Sequence, residues 1–245
     1  LANQVKGSKA FGNWLSRNVF GHQMPGYRAV TLSLKPVGIP PGDITDAQLE
    51  LIATLADKYS FGEVRATHEQ NIVLADVPVH QLFSLWSELK PAGFATPNIG
   101  TLTDMICCPG GDFCSLANAK SIPIAEAIQR EFDDLDYLYD LGNLDLNISG
   151  CMNACGHHHI GDIGILGVDK KGEEFYQVQL GGRSGNNAAL GKVLGPSFSR
   201  EEMSRVIRQL VDVYVEYRNE EESFGETYHR IGITSFKERV YAKAN

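Results

Sequence analysis

Cys108-Pro109-Gly110-Gly111-Asp112-Phe113-Cys114 and Ser149-Gly150-Cys151-Met152-Asn153-Ala154-Cys155-Gly156-His157-His158-His159 carry four of the five cysteines, and the fifth, Cys107, directly precedes the first stretch. Five residues separate the first pair, three the second, and 36 lie between the pairs. Glycine in each loop gives the backbone freedom to wrap a compact inorganic group. Four thiolates from two loops suit either a tetrahedral zinc or a [4Fe–4S] cluster. Zinc knuckles usually space their cysteines about two to four residues apart, so the longer first gap favours the cluster and leaves zinc as the alternative. Cys107 falls outside the pattern and reads as a small buried hydrophobe.

Working outward, the chain of 245 residues is 43% hydrophobic and 21% charged, enough for one large core or two modest ones, and two domains are expected. No run approaches the ~20 apolar residues of a membrane helix, and Leu1 to Lys9 lacks the charged-then-apolar pattern of a secretion signal. The expected location is therefore cytoplasmic, with no membrane partner. A formal net charge of −8 offers no basic field to a phosphate backbone, so nucleic acid is not an expected partner. Cysteines clustered in a chain of this kind argue for metal or thiol chemistry over a disulfide framework.

Residues 1–26 carry scattered aromatics, Phe11, Trp14 and Phe20, without sustained periodicity, and read as an extended arm or linker. Tyr27 to Leu34 alternates apolar and polar residues as a half-buried strand does. Thr45 and Gln48 form a capping box for a helix with the stripe Leu49, Ile52, Leu55, Ala56 and Tyr59. Glu63 to Thr67 and Asn71 to Ala75 read as short strands about a His68-Glu69-Gln70 turn, and Val79 to Leu89 as a second helix. Strand, helix, strand, strand, helix is most of a ferredoxin-like βαββαβ unit.

Beyond Gly100 the pattern predicts a helix over Ile122 to Phe132, a strand through Leu144, Leu146 and Ile148, and a hairpin of Ile160 to Val168 with Phe175 to Leu180. Ser199 and Glu202 box the start of a long helix that buries Met203, Val206, Ile207, Leu210, Tyr214 and Tyr217. From Glu220 onward the tail is charged and carries no evident pattern.

With these elements in place, Cys108-x5-Cys114, Cys151-x3-Cys155 and the texture around them closely resemble the sirohaem-dependent nitrite/sulfite reductases. The likeness extends upstream to Arg65-Ala66-Thr67-His68-Glu69-Gln70-Asn71 and downstream to Gly181-Gly182-Arg183, and the His157–His159 run looks like the bacterial assimilatory sulfite-reductase branch. The resemblance implies an α+β protein in three segments: the arm at 1–26, a ferredoxin-like half-domain at 27–100, and a [4Fe–4S]/sirohaem-binding α/β domain at 101–245. It also implies that Cys108, Cys114, Cys151 and Cys155 hold a [4Fe–4S] cluster, and that Cys155 bridges to sirohaem iron and is the catalytic ligand.

Sirohaem's carboxylates favour arginine forks and amide donors, so the resemblance moves Arg65, Thr67, Gln70 and Asn71 to a cofactor face, joined by Asn153 and Arg183. The implied reaction is six-electron reduction of sulfite to sulfide, with nitrite to ammonia as the sister reaction and a flavoprotein or ferredoxin as electron donor. Family members normally carry two ferredoxin-like halves, of which one is visible here, and residues 1–60 show no basic substrate cluster. The chain is thus expected to be the C-terminal part of a sulfite reductase haemoprotein whose N-terminal half is missing, with activity of the isolated chain in doubt. Rival readings are a nitrite reductase, a non-catalytic [4Fe–4S] electron-transfer protein and a structural zinc module.

Overall fold

The computed structural model describes residues 2–242; residue 1 and residues 243–245, at the outer ends of the first and last predicted segments, lie outside the described residues. Two compact units divide the chain, Leu1–Ile99 and Gly100–Asn245, each with its own hydrophobic core.

The predicted extended arm is instead helical and belongs to the first unit. It forms α1 (Ala2–Gly7) and α2 (Lys9–Asn18). The Ser8 hydroxyl caps α2 by accepting the Phe11 N–H at 3.2 Å. Three residues apart on one helix face, Phe11 and Trp14 are completely buried. The Phe11 ring meets Phe83 edge-on with centroids 5.0 Å apart and lies 5.3 Å from Trp86. Two aromatic anchors thus fasten a segment whose short apolar pattern left no longer repeat to read.

After α2 come β1 (Val19–Phe20), β2 (Tyr27–Leu32), α3 (Asp46–Tyr59), β3 (Val64–Ala66), β4 (Ile72–Pro78) and α4 (Leu82–Leu89), the last entered through a 3₁₀ turn at Val79–Gln81. The sheet runs β1-β2-β4-β3 with every neighbouring pair antiparallel. Elements β2 to α4 are the predicted five of a βαββαβ unit, and β1 occupies the edge beside β2. That central position changes the burial expected of β2. Val30 through Lys35 are buried without alternation, and two of the polar side chains among them are bonded: Ser33 Oγ donates to Asn98 Oδ1 at 2.7 Å, and Lys35 Nζ donates to the Glu69 carbonyl.

In α3 the Thr45–Gln48 capping box forms as predicted, and Ile52, Leu55, Ala56 and Tyr59 face the core. Leu49 does not; it is 49% exposed, because the stripe reaches the core only beyond the first turn.

The second unit holds β5 (Ile106–Cys107), α5 (Ile122–Glu131), α6 (Leu135–Leu141), β6 (Leu146–Ser149), β7 (Ile163–Lys170), β8 (Glu173–Leu180), β9 (Lys192–Val193), α7 (Met203–Tyr217), α8 (Phe224–Ile231) and α9 (Ile233–Tyr241). Its sheet runs in chain order, β5-β6-β7-β8-β9. β5, β6 and β7 are parallel, and β8 and β9 continue antiparallel. α7 buries its predicted face apart from Tyr217, which is 44% exposed in the last turn. The charged tail is structured: Ser223 and Glu226 make a capping box for α8, and Phe224, Tyr228, Phe236 and Val240 are buried.

Trp14→Ala is expected to destabilise the protein by roughly 3–5 kcal/mol in urea unfolding, the cost of emptying a large aromatic site. A change below about 1 kcal/mol would show that α2 is not part of the core.

Candidate metal centre

β5 and β6 lie in parallel register, Ile106 opposite Asn147 and Cys107 opposite Ile148. Parallel strands end on the same edge of a sheet, so the two cysteine loops leave side by side. The Cys108 N–H extends the ladder by one bond, to the Ile148 carbonyl at 3.1 Å. Side chains alternate along a strand. Cys107 accordingly points into the hydrophobic core, while Cys108 begins the loop.

The backbone ties the loops together. Asn118 and Ala119 N–H groups both donate to the Gly150 carbonyl, at 2.9 and 3.1 Å, and Gly111 N–H donates to the Ala119 carbonyl at 2.9 Å. Gly150 N–H donates to Cys108 Sγ at 3.1 Å. A Cβ on Gly150 would stand 2.6 Å from the Gly110 Cα and 2.7 Å from the Ala119 carbonyl oxygen, so only glycine permits this approach. The second loop turns tightly through left-handed Ala154 and His157, at φ 56° and 52°, and Gly156 N–H donates to Ser149 Oγ at 3.1 Å.

All five cysteines are free of disulfides. Cys151 is buried, Cys108 and Cys114 are half-buried and Cys155 is exposed. On the same loops Phe113, Leu116 and Met152 are 82%, 71% and 83% exposed, an unusual outlay of apolar surface beside thiols. Asn153 is also exposed. Among the described residues, no three His, Cys, Asp or Glu side chains are gathered about a position for a single ion. A donor set of thiols alone, presented from two mutually braced loops, fits an iron–sulfur cluster.

The three histidines diverge: His157 is exposed, His159 half-buried and His158 buried. Among the described residues the His158 Nδ1 finds no hydrogen-bond partner. Burial, reinforced by the charge of His159, pushes its pKa down to about 4, so the ring is neutral at neutral pH.

Of the residues assigned to a cofactor face, four share the β3–β4 hairpin. Arg65 is exposed and paired with Glu63. Thr67 Oγ1 accepts the Asn71 N–H at 3.2 Å. Gln70 sits in the left-handed region at φ 60°. Asn71 is buried, and its Oδ1 accepts the Leu34 N–H at 3.2 Å, a structural tie.

Arg183 is not brought to the cysteine loops. It follows β8, whose Leu180 lies opposite Ile163, and Ile163 in turn lies opposite Leu146 at the start of β6. That is the end of the sheet away from Cys108 and Cys151. Arg183 there lines a small cavity with Asp145, Asp162, Ser184 and Ser223. Spacing along the chain could not reveal this, because strand direction decides which end of the sheet a loop reaches.

Two groups escaped the sequence reading, one beside Cys108 and one in the Arg183 cavity. Ser121, a buried hydroxyl, lies 3.7 Å from Cys108 Sγ; its sequence signal was the serine at the start of the predicted helix. Asp162 has its pKa raised to about 7, by burial first and by the charge of Asp145, although the Asp145 N–H and Arg183 pull the other way.

The description "Nitrite and sulphite reductase 4Fe-4S domain" matches residues 100–245, and "Nitrite/Sulfite reductase ferredoxin-like half domain" matches residues 31–92. The chain belongs to the nitrite/sulfite reductase family. A ferredoxin–nitrite reductase of Synechococcus elongatus is 30% identical over 208 residues, covering 81% of this chain and 39% of that protein. A protein named sulfite reductase (ferredoxin) 2 from Mycolicibacterium paratuberculosis is 27% identical, covering 82% of this chain and 38% of its own length.

The solved Mycobacterium tuberculosis NirA protein superposes with a TM-score of 0.72 at 26% identity, over 89% of this chain and 41% of that one. Dissimilatory sulfite reductase I shares the fold, with a TM-score of 0.69 at 15% identity over 89% of this chain and 70% of that one. The chain thus spans 38–39% of the length of the two curated relatives. Among the described residues no helix is long and apolar enough to cross a membrane.

Because the folded Asp162 keeps its proton up to about pH 7, while an unfolded aspartate releases it near ~4, the contribution of Asp162 to stability falls as pH rises through that window, against the opposite contribution of the buried His158. Asp162→Asn is expected to remove that falling contribution from melting temperatures recorded across it. An equal slope in both proteins would contradict the assignment.

Proposed function

We propose that this chain is the cofactor-carrying part of a sulfite reductase, with Cys108, Cys114, Cys151 and Cys155 holding a [4Fe–4S] cluster and Cys155 also ligating sirohaem iron. The observation that carries the reading is the delivery of these thiols by two hydrogen-bonded loops to one edge of a parallel sheet. When bound, the cofactors supply single electrons and an iron site for the oxyanion.

The chain's own residues hold and shield them. The loop backbone fixes Cys108 and Cys151 relative to each other. Phe113, Leu116 and Met152, exposed beside the thiols, would exclude water from a bound cofactor. Arg65 presents a guanidinium for a cofactor carboxylate, with Thr67 and Gln70 beside it on the turn, and Asn153 offers an amide from the last cysteine loop. Asn71 acts indirectly, by holding that turn against β2. Arg183 is left out of the set because it lies at the opposite end of the sheet.

Sulfite as substrate rests on the His157–His159 texture. Nitrite is the second reading, favoured by the 30% identity to a ferredoxin–nitrite reductase. The names of these relatives support ferredoxin as electron donor. Five thiols outside any disulfide suit a reducing compartment such as the cytoplasm. The full reaction belongs to a larger protein in which further residues supply the basic substrate pocket.

Anaerobic purification followed by an absorption spectrum tests the proposal. Broad iron–sulfur absorption with haem-type bands is the expected result. Broad absorption alone would leave an electron carrier, and a colourless, zinc-loaded protein would remove both readings.

A further inference from the structure

Resting on the cluster reading above, we infer that Ser121 is the hydroxyl that hydrogen-bonds the Cys108 thiolate and so helps to set the cluster's reduction potential. Ser121 is completely buried and stands at the N-cap of α5, where a serine ordinarily accepts an N–H from the first helical turn. Here its side chain makes no capping bond. Instead it lies 3.7 Å from Cys108 Sγ, its hydrogen-bond partner among the described residues.

Room for this hydroxyl is made by one glycine from each cysteine loop. A Cβ would stand 2.5 Å from Ser121 Oγ if placed on Gly110 and 3.1 Å from it if placed on Gly150. With the Gly150 N–H at 3.1 Å, Cys108 Sγ collects two donors. The sulfurs of Cys114, Cys151 and Cys155 collect none among the described residues.

A thiolate bound to iron can only accept, so the buried hydroxyl must donate. A donor at a ligand sulfur stabilises the more negative, reduced cluster and raises its potential. The positive end of the α5 dipole acts in the same direction. Ser121 touches a ligand and not the substrate; it is a positioning and tuning residue.

The test uses the full chain, reconstituted anaerobically with iron and sulfide, and an EPR-monitored redox titration. Ser121→Ala should shift the midpoint to more negative potential, and Ser121→Thr, which keeps the hydroxyl, should restore it. Independently of any variant, pulsed EPR of the reduced wild-type cluster in D₂O should show a rapidly exchanging hydroxyl deuteron beside the slowly exchanging Gly150 amide. A loaded Ser121→Ala protein with an unchanged midpoint, or a wild-type spectrum with the amide class alone, overturns the role of Ser121. A chain that takes up no cluster overturns the reading on which it rests.

Discussion

Where β5 and β6 stop, Gly110 and Gly150 approach so closely that a side chain on Gly150 would strike the neighbouring loop. That contact depends on parallel pairing, which sends both strand ends to one edge. Once the loops meet there, Gly150 becomes the centre of their bonding. Its carbonyl accepts two N–H groups from the first loop, and its own N–H reaches Cys108 Sγ. Each such bond contributes only about 0.5–1.5 kcal/mol net, but together they fix the relative position of the two cysteine loops by protein contacts alone. A cluster bound as proposed would meet loops already held in place.

The first unit applies the same logic to a different end. The turn between β3 and β4 is held from beneath by buried polar groups, Asn71 on Leu34 and Lys35 on Glu69, and Asn98 braces the segment below by bonding Ser33 and the Lys35 carbonyl. Buried polar atoms are costly unless bonded, so this network specifies the turn's conformation. Arg65 remains outside the network, at the exposed edge strand with Glu63. The hairpin therefore divides into a structural member, Asn71, and a presented cation, Arg65.

Long amphipathic elements were legible in the sequence. α3 and α7 announced themselves by a capping box and a sustained stripe, and β7 and β8 by their hairpin. Failures came where an element is short or its role is tertiary. α2 offered only Phe11 and Trp14 at helical spacing, with Gly12 between them. α6 has seven residues. α8 did carry a capping box, Ser223 to Glu226, hidden in a run of charge.

The cysteine spacing pointed to two metal-binding loops, yet it was silent on which other side chains would meet them. Strand direction moved Arg183 to the far end of the sheet, and a close approach of backbones brought Ser121 to Cys108. Periodicity reports the face on which a residue lies; these outcomes depended on sheet topology.

The central claim is that four particular cysteines, and not the fifth, form one cluster site. Iron and acid-labile sulfide should be measured in five single Cys→Ala variants of the full chain, reconstituted side by side. The account predicts that Cys107→Ala keeps the wild-type content, while the variants at Cys108, Cys114, Cys151 and Cys155 lose most of it. Loss at Cys107 with retention at any two of the other four would contradict it.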